Sequence, residues 1–132
     1  MGDAGYDPRR SRVSEDTFQN FVRGNITGVI TEVPGIGPKA AEKLAASDDT
    51  DDRITNTYQL IGKFLMLKGP DDDENKVASM QHMEKFWYYL KERGIASHRS
   101  AIVKAIAEKM NMFIPGIYER DCYGDDSDDD DE

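Results

Sequence analysis

The sequence predicts an all-α fold, a compact bundle of five to six short helices. Three observations carry this expectation. Apolar residues recur at helical intervals through residues 58–67, 80–90 and 102–113. No stretch alternates apolar and polar residues as a half-buried strand would. Glycine and proline steps at Gly69-Pro70, Gly94 and Pro115-Gly116 punctuate the periodic runs.

Taken in order, residues 1–13 are rich in Gly, Pro and Arg with little apolar content, and read as a flexible basic arm carrying Arg9, Arg10 and Arg12. Ser14-Glu15-Asp16 opens a first helix, with acids in the first turn where the macrodipole favours them. Phe18, Phe21 and Val22 fall on one face of it. A short second helix, about 27–32, leads into Gly35-Ile36-Gly37, and residues 38–46 leave that turn as a third helix. The acidic loop 47–53 follows. Residues 56–68 form a strong helix in which Tyr58, Ile61, Phe64 and Leu65 keep helical spacing, while Leu60 and Leu67 widen the stripe. Gly62 inside it costs about 1 kcal/mol relative to alanine. Its apolar neighbours favour close helix packing there, within the domain or across a dimer.

Residues 70–76 are a charged linker. Met80, Met83, Phe86, Trp87 and Leu90 define the next helix, which closes at Gly94. Within it Phe86-Trp87-Tyr88-Tyr89 reads as core, with only one or two of the four exposed. Ser97 is placed to cap the last helix, whose apolar positions are Ile102, Val103, Ile106, Met110 and Phe113. The chain therefore divides into the arm 1–13, one helical domain at 14–114, and a disordered acidic tail at 115–132. There is no internal repeat.

The 132 residues include six Met, five Phe, six Tyr and one Trp, enough for a modest core. No run is long and apolar enough to span a membrane, and the N-terminus lacks the apolar segment of a signal peptide. Cys122 is the single cysteine, so no intramolecular disulfide forms and a reducing compartment is expected. His82, His98 and Cys122 have no metal-ligand spacing. Both histidines read as exposed helical residues, and neither a metal nor another cofactor is expected. The aspartates cluster in loops and tail without a partnered base, and neither histidine has an evident nucleophile, so no catalytic activity is expected.

The net charge is −9, but residues 125–132 hold seven of the acids, leaving −2 over residues 1–124. Asp48, Asp49, Asp51 and Asp52 form a second acidic cluster, and residues 71–74 a third. The remainder is net basic. An acidic total thus weakens a nucleic-acid partner without excluding it.

Residues 33–44 read Val-Pro-Gly-Ile-Gly-Pro-Lys-Ala-Ala-Glu-Lys-Leu. This is the pattern of a helix-hairpin-helix turn, a grip for DNA backbone, and it places the bundle among SAM-like folds. Gly35 and Gly37 permit a tight turn and let main chain approach a ligand. Ile36 plugs the hairpin into the core. Pro38 suits the first helical position, where no amide hydrogen is needed. Amides around Gly37, Lys39 and Ala40 then open from a helix N-terminus, which favours an anion, and Lys39 adds a mobile positive charge. Nothing in the segment reads a base edge, so the expected contact is sequence-independent. The competing reading is a tight helix-helix turn that binds nothing.

Three segments in order resemble the barrier-to-autointegration factor family, small DNA-bridging proteins of the animal nucleus. They are Phe21-Val22, the Gly35-Ile36-Gly37 turn through Lys43-Leu44, and most tellingly Tyr58-Gln59-Leu60-Ile61-Gly62-Lys63-Phe64-Leu65-Met66-Leu67-Lys68. Phe86, Tyr89, Leu90 and Gly94 match an aromatic-rich helix ending near a glycine, so the resemblance covers roughly residues 14–114. It implies a symmetric homodimer whose two hairpins face opposite ways and bridge two duplexes. It implies DNA contacts from Gly35, Ile36, Gly37, Lys39, Ala40 and Lys43, and from Ser97, His98 and Arg99 at the start of the last helix. The dimer interface would hold Leu60, Ile61, Gly62, Phe64 and Leu65, and a LEM-domain-like nuclear-envelope protein would be a further partner. The chain departs from the family at Glu15-Asp16-Thr17, where the family is basic, and in its acidic insertions and extensions.

The expected function is therefore non-sequence-specific binding and bridging of double-stranded DNA by a homodimer, in chromatin or nuclear-envelope organisation. The expected location is the nucleus, with a cytoplasmic pool. The alternative is a protein-interaction module of the same fold with a degenerate, non-DNA-binding hairpin. Ser127, followed by four Asp and a Glu, is a candidate phosphorylation site for acid-directed kinases; a plain solvated tail is the competing reading. A further expectation is that the tail folds over the hairpin as a tethered phosphate mimic.

Overall fold

The computed structural model describes Tyr6 and residues 13–47, 52–68 and 79–118. Among these the chain forms five α-helices and one 3-10 turn. Helix α1, Glu15–Arg23, starts at Ser14, whose Oγ accepts the Thr17 amide at 3.2 Å. Phe18, Phe21 and Val22 are its buried face, as their spacing requires. The expected second helix is a single 3-10 turn, Ile30–Glu32. Residues 27–29 stay extended or turn-like because the Glu32 carboxylate reaches back to them. It accepts from the Thr27 amide at 2.9 Å, the Gly28 amide at 3.0 Å and the Thr57 hydroxyl at 2.6 Å. These donors hold the carboxyl below its ordinary range against the opposing effect of burial, which is the largest single influence.

Helix α2, Pro38–Ala45, carries Pro in its first turn. Helix α3, Thr57–Met66, is capped by Asn56, whose side chain accepts the Gln59 amide at 2.8 Å. An isolated antiparallel bridge between Val29 and Asn56 ties the approach to the 3-10 turn onto the start of α3. Helix α4 spans Ser79–Glu92 and α5 spans Arg99–Phe113. Helix α5 is the centre of the bundle, packed between α1 and α4. Ala101, Ile102, Val103, Ala105, Ile106 and Ala107 are all fully enclosed, with Phe64, Met83, Phe86 and Leu90 among the side chains around them. The chain is all-α, and no described helix is long and apolar enough to cross a membrane.

Several expectations are corrected. Phe113 is 66% exposed, because the inner face of α5 ends at Met110 and the helix stops before another turn. Ser97 does not cap α5; His98 occupies the N-cap position and makes no side-chain capping bond. His82 is buried, not exposed. Its ring stacks on Phe64 at 4.3 Å and its Nε2 meets the Phe64 carbonyl oxygen at 2.7 Å. Of the aromatic run, Tyr88 is exposed and Phe86 and Trp87 are core, which agrees with the sequence.

Residues outside the expected 14–114 also belong to the packed unit. Tyr6 is buried with its hydroxyl 2.7 Å from that of Tyr118, the rings meeting edge to face, and Ile117 is buried as well. The expectations placed on Arg9, Arg10, Arg12, Asp48, Asp49, Asp51, the linker 70–76, Cys122 and Ser127 lie outside the described residues.

Candidate nucleic-acid interface

The Gly-Ile-Gly turn and the start of α5 meet at one cleft of about 610 Å³. Gly35 explains how they come so close. Its φ is +97°, a left-handed value that favours glycine. A Cβ there would lie 2.9 Å from Ile102 Cγ1 and 3.1 Å from the His98 carbonyl oxygen. Glycine is thus required twice, by conformation and by contact with α5. Ile36 is buried and anchors the turn in the core. It also lines the cleft, where it is expected as a DNA contact.

Gly37 is the N-cap of α2 and is exposed, with nothing within 4 Å of where a Cβ would stand. A side chain at this position would therefore begin in open space, beside the first turn of α2. Lys39 and Lys43, one helical turn apart and both exposed, border the same space. Lys43 runs beside Gly94, where an added Cβ would meet its Cδ at 3.4 Å. Ala40 is half-buried at the floor. Ile95, Ala96, Ser97 and His98 form the opposite wall, with Val13 at the rim. No carboxylate is among the described residues lining the cleft. Two helix N-terminal ends and two lysines thus border one cavity, an arrangement that stabilises an anion.

Arg99 is the one expected contact that does not line the cleft. Its Nη1 donates to the Ile95 carbonyl at 2.6 Å and its guanidinium lies 4.3 Å from the Trp87 ring centre. It stiffens the wall from behind. Arg93, which the sequence did not single out, does the same for the other wall. It donates to the Leu44 carbonyl at 2.6 Å and to those of Lys43 and Ala46 at 3.3 Å, satisfying carbonyls at the C-terminal end of α2. Lys109 acts likewise on α1. Buried, it donates to the carbonyls of Phe21 and Val22 at 2.9 Å and to that of Gly24. Burial lowers its pKa, with Glu32 opposing.

The expected dimer residues divide between the two sides of α3. Leu60 and Phe64 are fully enclosed in the chain's own core, so they are not available to a second copy. Tyr58 and Leu65 are 57% and 36% exposed, and Met66 is 76% exposed. Ile61 and Gly62 are half-buried between them. A Cβ on Gly62 would meet nothing within 4 Å, so close packing inside the domain does not explain this glycine. Among the described residues no group of His, Cys, Asp and Glu is placed to hold a metal ion. No protein-family model matches the chain, and neither does any curated protein or solved structure.

Proposed function

We propose that the chain binds double-stranded DNA through its phosphates, without sequence preference, and bridges duplexes as a homodimer. The observation that carries this reading is the cleft, bordered by the N-terminal ends of α2 and α5 and by Lys39 and Lys43, with no carboxylate on its described lining. Gly37 places no side chain between the start of α2 and a ligand, and backbone contacts of this kind carry no sequence information. The sequence pattern of a helix-hairpin-helix turn supports the same assignment.

The dimer is supported by the outer face of α3. Tyr58, Leu65 and Met66 are exposed on one side of the helix, with the half-buried Ile61 and Gly62 between them. Two copies joined there would carry two clefts, and bridging follows from having two. A role in chromatin or nuclear-envelope organisation, nuclear location and a LEM-domain-like partner rest on the family resemblance alone.

The test is a bridging assay. One random-sequence duplex is immobilised, a second fluorescent duplex is offered with the full chain, and retained fluorescence is read. Retention that vanishes at high salt and with Leu65→Asp is the expected result. Salt-sensitive binding to the first duplex without retention of the second would remove the bridging half. No binding to either would leave the protein-interaction module, which the acidic net charge of −9 favours.

A further inference from the structure

His98 is the one non-glycine residue with positive φ among those described, at φ 63° and ψ 20°. A side chain held in that region costs about 1 kcal/mol or more, and such outliers concentrate where a site needs a group in a fixed place. Asparagine or glycine would occupy the position with less strain. The imidazole kept there is exposed and lines the cleft at the N-terminal end of α5. A Cβ on Gly35 would lie 3.1 Å from the His98 carbonyl oxygen and 3.2 Å from the His98 Cβ, so the glycine is what lets the start of α5 sit this close to the turn. The Nδ1 atom lies 3.2 Å from the Ser97 hydroxyl, which can donate to or accept from it and so suits either protonation state. Among the described residues Nε2 has no hydrogen-bond partner and remains for a ligand.

We infer that His98 makes the grip on phosphate proton-linked: the imidazolium donates to a phosphate oxygen, and binding takes up a proton. This rests on the phosphate-binding reading of the cleft. Histidine is the side chain that ordinarily changes charge between about pH 5 and 8. The charged groups facing it are Lys39 and Lys43 on α2, with Arg99 next in sequence but held against Trp87. With no carboxylate on the described lining, a bound phosphate would bring the negative charge that stabilises the imidazolium. By linkage, whatever favours the proton when DNA is bound makes the proton favour DNA. The cleft would therefore hold duplex more tightly in mildly acidic surroundings.

The experiment titrates a fluorescent random-sequence duplex with the full chain at fixed salt, at steps between pH 8 and pH 5.5. Wild type, His98→Asn and His98→Arg are compared, with a thermal melt of each. Asparagine tolerates the positive φ, so His98→Asn should melt no lower than wild type. Wild type should tighten by about tenfold from pH 8 to pH 5.5, the increment of one charge-assisted contact. His98→Asn should give a flat profile, and His98→Arg a tight and flat one. His82 is buried on α4 and is kept in every variant, so its contribution cancels. Equal pH dependence in wild type and His98→Asn would overturn the inference and leave the phosphate grip standing. Absence of wild-type binding at every pH, even at low salt, would overturn both.

Discussion

Two faces of this molecule leave backbone uncovered, and they differ in what frames it. At the cleft, Gly37 stands open beside Lys39, Lys43 and His98. On α3, the half-buried Gly62 likewise has nothing within 4 Å of where a Cβ would stand, beside Tyr58, Leu65 and Met66. The absence of a side chain is the same in both places, but the ligand each suits is not. Cations and helix N-termini suit a phosphate, whereas apolar side chains suit another apolar surface. Gly35 supplies the contrast, since its missing side chain serves the fold and is filled by Ile102 and His98. A glycine therefore speaks for function only where nothing inside the chain needs the space.

The largest expected effect separates Gly35 from Gly37. Gly35→Ala should cost about 3 kcal/mol of folding stability, combining positive-φ strain with contacts too short to relax easily. Gly37→Ala should cost less than about 1 kcal/mol, the range of a weakened N-cap. Urea denaturation of the two variants reads the difference, and equal losses would break the distinction.

Next in size is the effect of charge at the open position. Gly37→Glu should reduce DNA affinity roughly a hundredfold while the melting temperature stays within a few degrees, because a Cβ there meets no protein atom and the carboxylate repels phosphate and competes with it for Lys39 and Lys43. A variant that binds as well as wild type would mean the amides at α2 are not the grip. On the second face, Leu65→Asp should leave the fold intact and turn a dimer into a monomer in sedimentation velocity. Leu60→Ala, five residues earlier and enclosed, should instead cost about 3 kcal/mol of stability. If wild type is already a monomer, the homodimer and the bridging that rests on it fail.

The smallest effect is acid loosening of the α3–α4 contact. Burial lowers the pKa of His82 below its ordinary 6.5; the bond to the Phe64 carbonyl opposes this and the charges of Lys68 and Lys85 add to it. Its Nδ1 is buried without a partner. The folded state thus prefers the neutral ring. The stability it contributes is complete above pH 6.5 and is lost as pH falls toward the folded value, by at most about 1.4 kcal/mol per pH unit. Chemical denaturation at pH 7.5 and 5.5 should show that loss in wild type and not in His82→Phe. No difference would place His82 outside the acid response.

Much of this arrangement is local and was legible in the sequence. Ser14 and its acids, the buried trio of α1, the Pro38 start of α2 and the glycine and proline stops all depend on neighbours within four residues. The turn and the start of α5 were named together through the family resemblance, and the structure brings Gly35, Gly37, Lys39, Ala40, Lys43, Ser97 and His98 to one cleft. What escaped depends on distant partners. Lys109 reaches carbonyls more than eighty positions away, and Arg93 reaches α2 across about fifty. Neither has a local pattern, since a lysine or arginine on a helix ordinarily faces solvent. Helix α3 misled for a different reason. It is apolar nearly all round, so periodicity could not divide Leu60 and Phe64, which face the core, from Leu65 and Met66, which face outward.

The central claim is that the cleft grips DNA backbone, and salt tests it most directly. Fluorescence anisotropy of a random-sequence duplex, titrated with the full chain and with Gly37→Glu at two salt concentrations, measures both affinity and its salt dependence. Wild-type binding that weakens steeply with salt, and that Gly37→Glu abolishes, is the predicted result. Wild-type protein that fails to bind at low salt, or binds with an affinity indifferent to salt and to Gly37→Glu, would contradict it.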